Sequence, residues 1–120
     1  MIAIPKFLLQ QLYVKGSLRL EPEGVAFDIK NSLGPGVLTR LSSITLDDTL
    51  FTGAQIKLHV DGQWISAKDV TEQTPARLGL NQTAVCVLLG ASLSPGKHTL
   101  TVDLHSREVG QVVLTVHDQV

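Results

Sequence analysis

The stretch that decides the fold of this chain is Leu93–Leu104, with the sequence LSPGKHTLTVDL. It opens with a Ser-Pro-Gly turn, after which large side chains alternate with Thr and Asp, and the large set consists of His98, Leu100, Val102 and Leu104. A period of two residues places one set in a core and the other in solvent. The stretch therefore predicts a half-buried β-strand that begins at a tight turn.

The same alternation recurs along the chain, and no segment has the roughly 3.6-residue period of a long helix. Residues Val25–Ile29 alternate, and so do Ile56–Val60, which end at Asp61-Gly62, a two-residue hairpin signal. Residues Thr83–Leu89 are apolar on both faces, as in a central strand. About seven to eight strands with turns between them predict an all-β fold, an antiparallel immunoglobulin-like β-sandwich, as one domain over residues 1–120.

Three segments carry weaker patterns. Alternation over Leu12–Leu20 predicts a strand whose even-numbered residues face inward. The polar stretch Ser66–Thr74 predicts one helical turn capped by Ser66, and Pro75–Gln82 is predicted to be irregular.

The N-terminal segment, residues 1–11, is predicted to lie extended at a sheet edge or in an oligomer interface, because Pro5 suits an extended edge. It holds more apolar residues than one face of an edge strand can bury. Such a segment can pair with another sheet or cover a neighbouring chain. The residues predicted to take part in interactions are Ile4, Phe7, Leu8, Leu9, Tyr13 and Trp64.

Charge and composition narrow the classes of partner. Ten Lys and Arg face eleven Asp and Glu, and they are scattered, which argues against nucleic acid and against an anionic membrane surface. A mean hydropathy of +0.20 with 4% aromatic residues indicates apolar surface buried against another chain, in a homo-oligomer or on a larger enzyme subunit. The single cysteine, Cys86, is predicted to be a small buried hydrophobe. With neither a signal peptide nor a long apolar run, the predicted location is cytoplasmic.

Candidate chemistry is sparse. His59, His105 and His117 fall on outward phases of their strands, and His98 falls on an inward phase. The favoured interpretation is solvent-facing or locally bonded histidines, with no metal and no cofactor. A small metal-dependent enzyme using the strand histidines stays open, since one hairpin could bring His105 and His117 together. The pair Asp47-Asp48 is interpreted as turn chemistry.

The portion Gln55–Arg107 resembles a known family. Its order is the strand IKLHV, the hairpin DGQW, the polar stretch SAKDVTEQ, Pro75-Ala76, the strand AVCVLL, the turn GASLSPG and finally His105–Arg107. This order is similar to the small β subunit of bacterial C-glycoside deglycosidases. The resemblance implies a sandwich that packs on a TIM-barrel α subunit with a divalent metal and a sugar substrate. No catalytic residue is carried over to this chain.

The sequence thus favours a non-catalytic β-sandwich, an accessory or structural subunit or an oligomeric interaction module, which the resemblance would attach to a sugar-modifying enzyme complex. The first alternative is a small-ligand or carbohydrate-binding module built on Trp64 with His59 or Lys57. The second alternative is the metal-dependent enzyme. An accessory role is preferred over catalysis because no motif for a nucleophile, phosphate loop or metal site is visible.

Overall fold

The computed structural model describes residues 4–120. These residues form one short α-helix, ten β-strands and two single turns of 3₁₀-helix. In chain order the elements are α1 (Lys6–Gln10), β1 (Arg19–Glu21), β2 (Gly24–Lys30), β3 (Gly36–Leu46), β4 (Thr49–Phe51), a 3₁₀ turn (Gly53–Gln55), β5 (Ile56–Val60), β6 (Gln63–Ser66), a second 3₁₀ turn (Ala67–Asp69), β7 (Ala76–Leu78), β8 (Thr83–Leu89), β9 (Lys97–Ser106) and β10 (Gly110–Gln119).

The strands form two antiparallel sheets. The first has the order β1-β2-β8-β5-β6, and the second has the order β10-β9-β3-β4, with β7 paired to the beginning of β3. The predicted all-β antiparallel sandwich is therefore confirmed. The structure has ten strands rather than seven or eight because β1, β4 and β7 have three residues each, too few to show a period of two.

The core lies between the two sheets. In the first sheet β8 lies between β2 and β5, and each residue from Val85 to Leu88 has one partner on β2 and one on β5. The second sheet faces them with rows from β3, β9 and β10. Five of the buried side chains are essentially without solvent contact: Phe27, Ile44, Ile56, Leu88 and Val25.

The strongest local signals are confirmed. Asp61 and Gly62 form the two-residue turn between β5 and β6, with φ angles of 52° and 76°, so both occupy the left-handed region that a type I′ hairpin needs. The predicted central strand, β8, lies in the middle of the first sheet between β2 and β5. The deciding stretch becomes β9, paired on both sides, and its predicted inward residue His98 is buried.

The N-terminal segment differs from its prediction. Pro5 does not support an extended edge but precedes the helix Lys6–Gln10, a position where the missing proline N–H costs nothing because early helical N–H groups have no intrahelical partner. The extended conformation predicted for this segment is therefore wrong for residues 6–10, and its place in an oligomer interface stays a prediction. Residues 1–3 of that segment lie outside the described residues.

The predicted strand Leu12–Leu20 is only partly correct. Tyr13 forms a bridge to β2, and β1 pairs with β2. Between Tyr13 and β1 the strand is interrupted, because Gly16 adopts a φ of 83° and the Ser17 Oγ accepts the Asp28 N–H at 3.0 Å. This irregularity changes the phase, so Tyr13 is buried and Leu20 is 63% exposed, the reverse of the prediction.

Two smaller predictions also need correction or refinement. The segment predicted to be irregular contains β7, whose three residues pair with the beginning of β3. The helical turn in Ser66–Thr74 is present as the 3₁₀ turn Ala67–Asp69, but the Ser66 hydroxyl does not cap it. Within residues 4–120 no helix has the length and apolar character needed to cross a bilayer.

Candidate functional site

An apolar cavity of about 340 Å³ lies between the sheets at the end where β8 begins. The cavity arises because the inward side chains of β8 become smaller along the strand, from Leu88 through Cys86 to Ala84. Ala76 of β7 adds another small side chain to the same end. Aliphatic side chains of the opposite sheet, such as Val102, line the space without filling it. The taper leaves the sandwich tightly packed at one end and hollow at the other.

Polar groups around this cavity are almost all engaged. Asn31 Nδ2 donates to the carbonyl oxygen of Leu78 at 2.8 Å and to that of Gly34. Glu108 Oε1 accepts the Val37 N–H at 3.0 Å. These bonds fix the loop before β3 and the turn after β9, so the mouth of the cavity has a defined shape.

Arg77 is the exception at this mouth. It is an exposed residue of β7 that lines the cavity, and its backbone lies opposite Val37. The ion pairs found within residues 4–120 involve Arg19 and His98 as cations but not Arg77. Arg77 thus places a charged residue at the rim of an apolar cavity, and no hydrogen bond or ion pair of its side chain is found among the described residues.

An ion pair between a buried histidine and a half-exposed aspartate lies at the opposite, tightly packed end. His98 Nδ1 is 2.8 Å from Asp47 Oδ2, and His98 Nε2 is 2.7 Å from the carbonyl oxygen of Ser94. The Asp47 carboxylate and the Ser94 carbonyl accept hydrogen bonds only, so the arrangement favours the doubly protonated, positively charged form of the imidazole. The hydrogen bond to Asp47, with that to Ser94, raises the pKa of His98, and the same contact lowers the pKa of Asp47.

A second polar cluster ties the N-terminal segment to the end of β10. The Tyr13 hydroxyl donates to Asp118 Oδ2, and the Gly16 N–H donates to the same oxygen at 2.8 Å. Burial raises the pKa of the Tyr13 phenol, and the bond to Asp118 adds to the effect. Burial alone would favour the protonated form of Asp118, but the hydrogen bonds from Tyr13, Gln119 and Gly16 outweigh it and lower the pKa.

The other histidines do not converge. The register of β9 and β10 pairs His105 with Gln111 and His117 with Thr99, which places the two histidines at opposite ends of the hairpin. His117 Nδ1 lies 3.0 Å from Thr99 Oγ1. Among the residues that the structure describes, no three His, Cys, Asp or Glu side chains are grouped as metal ligands would be.

His105 instead borders a polar cleft of about 550 Å³ on the outer side of the second sheet, together with Arg40, Lys68 and Glu72. His59 lies elsewhere, on β5, where its ring packs against that of Trp64 at an angle of 35°, with centroids 4.6 Å apart. The histidines of the alternative metal and carbohydrate interpretations thus occupy separate surfaces.

The residues predicted to make interactions fall into two groups. Leu9 and Tyr13 belong to the domain's own core, and Leu8 and Ile4 are partly buried. Phe7 and Trp64 are 64% and 54% exposed and remain available to a partner. Other apolar side chains that were not predicted to make interactions are also exposed. Leu33, Leu50 and Leu80 lie in a short strand or in loops, where no period can be recognised, Leu20 was predicted to face inward, and Val113 is on the outward face of β10.

Cys86 is fully buried in the core, as predicted, and lies opposite Phe27 in the register. Burial, with a smaller contribution from the charge of Asp28, raises the pKa of the thiol to about 12. The thiolate that a nucleophile or metal ligand requires is therefore disfavoured at neutral pH.

Taken together, these features define a β-sandwich domain with a hollow end, in which the buried histidine and the cysteine are held within the fold. The family model described as hydroxymethylglutaryl-CoA reductase, N-terminal domain, matches residues 8–120, and the chain belongs to that family. No curated protein sequence matches it. The family description refers to one domain of a larger enzyme.

This match overturns the resemblance to the β subunit of C-glycoside deglycosidases. That resemblance rested on turns and alternating strands over Gln55–Arg107, features that many sandwiches share, whereas the family match extends over nearly the whole chain. The association with a sugar-modifying complex loses its basis with it.

Proposed function

We propose that this chain is a non-catalytic structural domain that associates with the catalytic part of a hydroxymethylglutaryl-CoA reductase. The observation that carries the proposal is the family match over residues 8–120, because the family is described as one domain of that enzyme. A domain of this kind contributes surface and stability to an assembly, and the chemistry belongs to the rest of the enzyme.

The side chains best suited to acid-base or nucleophilic work support a structural role. His98 is held between Asp47 and Ser94, and Tyr13 is bonded to Asp118. Cys86 is buried with a raised pKa. Each of these groups is committed to a contact that holds the fold together, and none of them is free to approach a substrate.

The exposed edge of the first sheet is the contact surface we favour. β6 lies at this edge, so its outer backbone groups are available for pairing. Trp64 stands on β6 with half of its surface in solvent and the ring of His59 behind it. Large aromatic side chains are enriched where interfaces carry most of their binding energy.

The test combines binding with activity. The purified chain is mixed with the catalytic polypeptide of a hydroxymethylglutaryl-CoA reductase, and the mass of the complex and the rate of substrate reduction are measured. We expect a stable complex, no reduction by the chain alone, and at least a tenfold weaker complex for Trp64→Ala. Leu20→Ala, an exposed apolar position on the opposite edge of the same sheet, serves as the matched control and should bind normally. Substrate reduction by the isolated chain would contradict the proposal.

Self-association and location extend the same proposal. A second copy of the chain is the alternative partner for the Trp64 edge, and light scattering of the chain alone, at tens of micromolar, distinguishes a homo-oligomer from a complex with the enzyme. A cytoplasmic location belongs to the same proposal, and fractionation of cells that contain the chain would test it.

A further inference from the structure

We propose that the cavity between the sheets binds one aliphatic carboxylate of medium length, with its chain between the sheets and its carboxylate on Arg77. This binding site is independent of the association proposed above, because it lies at the hollow end of the sandwich and does not include Trp64. The argument uses the volume of the cavity, the nature of its walls and the one unengaged charge at its mouth.

The volume suits a small organic molecule. At about 340 Å³ the cavity is within the range of roughly 300–1,000 Å³ that is typical of ligand pockets. Engineered apolar cavities of about 150 Å³ bind benzene. Scaled from that example, the space between these sheets accommodates about thirteen carbon atoms, more than the ten of decanoate.

The walls select an apolar occupant. Ala84 and Cys86 supply one wall, and Leu41, Val102 and Val112 supply the opposite one. Water needs two to four polar partners to remain in a cavity, and these side chains offer none at its centre. An aliphatic chain restores the dispersion contacts that the tapering side chains of β8 leave unmade.

The residues at the mouth of the cavity determine which polar group the ligand carries. Asn31 and Glu108 face the same opening, but Asn31 is bonded to Leu78 and Gly34, and Glu108 to the Val37 N–H. Arg77 is the charged group left with free donors, and a guanidinium binds a carboxylate in a two-pronged geometry. The negative charge of Glu108 also favours a ligand with one carboxylate over one with several, because each added anionic group would meet its repulsion.

The experiment is a titration of the purified full-length chain with decanoate, followed by calorimetry and by NMR of the methyl groups. We expect saturable binding of one molecule per chain, with chemical-shift changes at Val102 and Val112 and none at Val113, which faces outward on the same strand as Val112. The absence of saturable binding up to millimolar decanoate would overturn the proposal.

Two matched pairs of variants test the location. Ala84→Leu fills the cavity and should abolish binding, whereas Val85→Leu adds bulk on the other face of the same strand and should leave it unchanged. Ala84→Val, with a smaller addition, keeps the test available where the larger side chain prevents folding, and should weaken binding. Undiminished binding by a folded Ala84 variant would place the ligand elsewhere and refute the site.

Arg77→Ala tests the carboxylate contact. This variant should bind decanoate at least about tenfold more weakly, as expected for loss of a charge-assisted hydrogen bond, and should bind decanol as the native chain does. Arg40→Ala, which removes an arginine that borders the polar cleft instead, should leave both affinities unchanged. Equal losses for decanoate and decanol in Arg77→Ala would refute the role assigned to the guanidinium.

Discussion

The doubly bonded His98 ring makes the stability of this domain depend on pH. Its two nitrogens face a carboxylate oxygen and a carbonyl oxygen, so raising the pH removes a proton from one of two hydrogen bonds. The raised pKa in the folded state means that the contribution of the ring is fully present below the unfolded value of about 6.5 and is lost as the pH rises through the folded value.

The size of the effect follows from the contacts. A hydrogen bond to a charged group contributes about 1.5–3 kcal/mol, and the larger figures belong to fully buried pairs. The His98 side chain is 7% exposed, but that of Asp47 is 48% exposed, so solvent screens part of the interaction. We therefore expect the free energy of unfolding to fall by about 1 kcal/mol between pH 6 and pH 9.

The lowered pKa of Asp47 limits the stabilisation at low pH. Its contribution is present above the unfolded value of 3.8 and is lost as the pH falls through the folded value. The pair as a whole should therefore stabilise the domain most between about pH 4 and pH 6.5.

Urea unfolding at a series of pH values is the assay, with NMR titration of the ring to locate its pKa. At a typical slope of about 1–3 kcal/mol per molar, a change of 1 kcal/mol moves the midpoint by roughly half a molar. Asp47→Asn should flatten the dependence above pH 6 and keep the turn, because Asn tolerates the φ of 53° found there. His117→Gln, on the exposed face of β10, should preserve it. Stability that is constant or rises from pH 6 to pH 9, or a ring pKa below 6.5, would refute the reasoning.

Three further outcomes can be measured on the same protein. Phe27→Ala should lower the free energy of unfolding by about 3–5 kcal/mol, because the ring is completely buried and leaves a cavity; a loss under 1 kcal/mol in urea unfolding would contradict this packing. Gly24→Ala should destabilise far more than Gly16→Ala, since a Cβ at Gly24 would lie 2.0 Å from the Leu88 carbonyl oxygen, while the space at Gly16 is open and only its positive φ is costly; equal losses in thermal melts would argue against this close approach. Cys86 should react with a thiol reagent only after unfolding, because its pKa is raised to about 12 and its sulfur is buried; rapid labelling of the native chain would show otherwise.

The sequence predicts the long strands well because the burial of one strand face appears in the sequence as a regular alternation of apolar and polar residues. A two-residue period with one buried face marks β2, β5 and β9, and the pair Asp61-Gly62 specifies its turn directly. The alternation stops being informative where a side chain replaces a backbone ladder bond. Ser17, which accepts the Asp28 N–H, is the clearest case. Tyr13 before it and Leu20 after it have the reverse of their predicted burial, whereas Leu18 is buried as predicted.

The candidate sites depend on contacts that no local pattern contains. Asp47 was interpreted as a turn residue, and it is one, but its partner His98 is 51 positions away in sequence. The cavity arises where small residues of β8 and β7 meet across the sandwich, at positions set by the pairing of the sheets. The diminishing series Leu88, Cys86, Ala84 is nevertheless visible in the sequence, and it is the signal from which the hollow end could have been inferred.

The taper of β8 also divides the domain by how readily its parts open. The amide proton of Leu88, whose side chain has no solvent contact, should exchange with solvent only through global unfolding, whereas that of Ala84, beside the cavity, should exchange through local fluctuations of lower free energy. A ligand can then enter and leave the cavity at the hollow end while the tightly packed end remains folded, so ligand exchange does not require the domain to unfold.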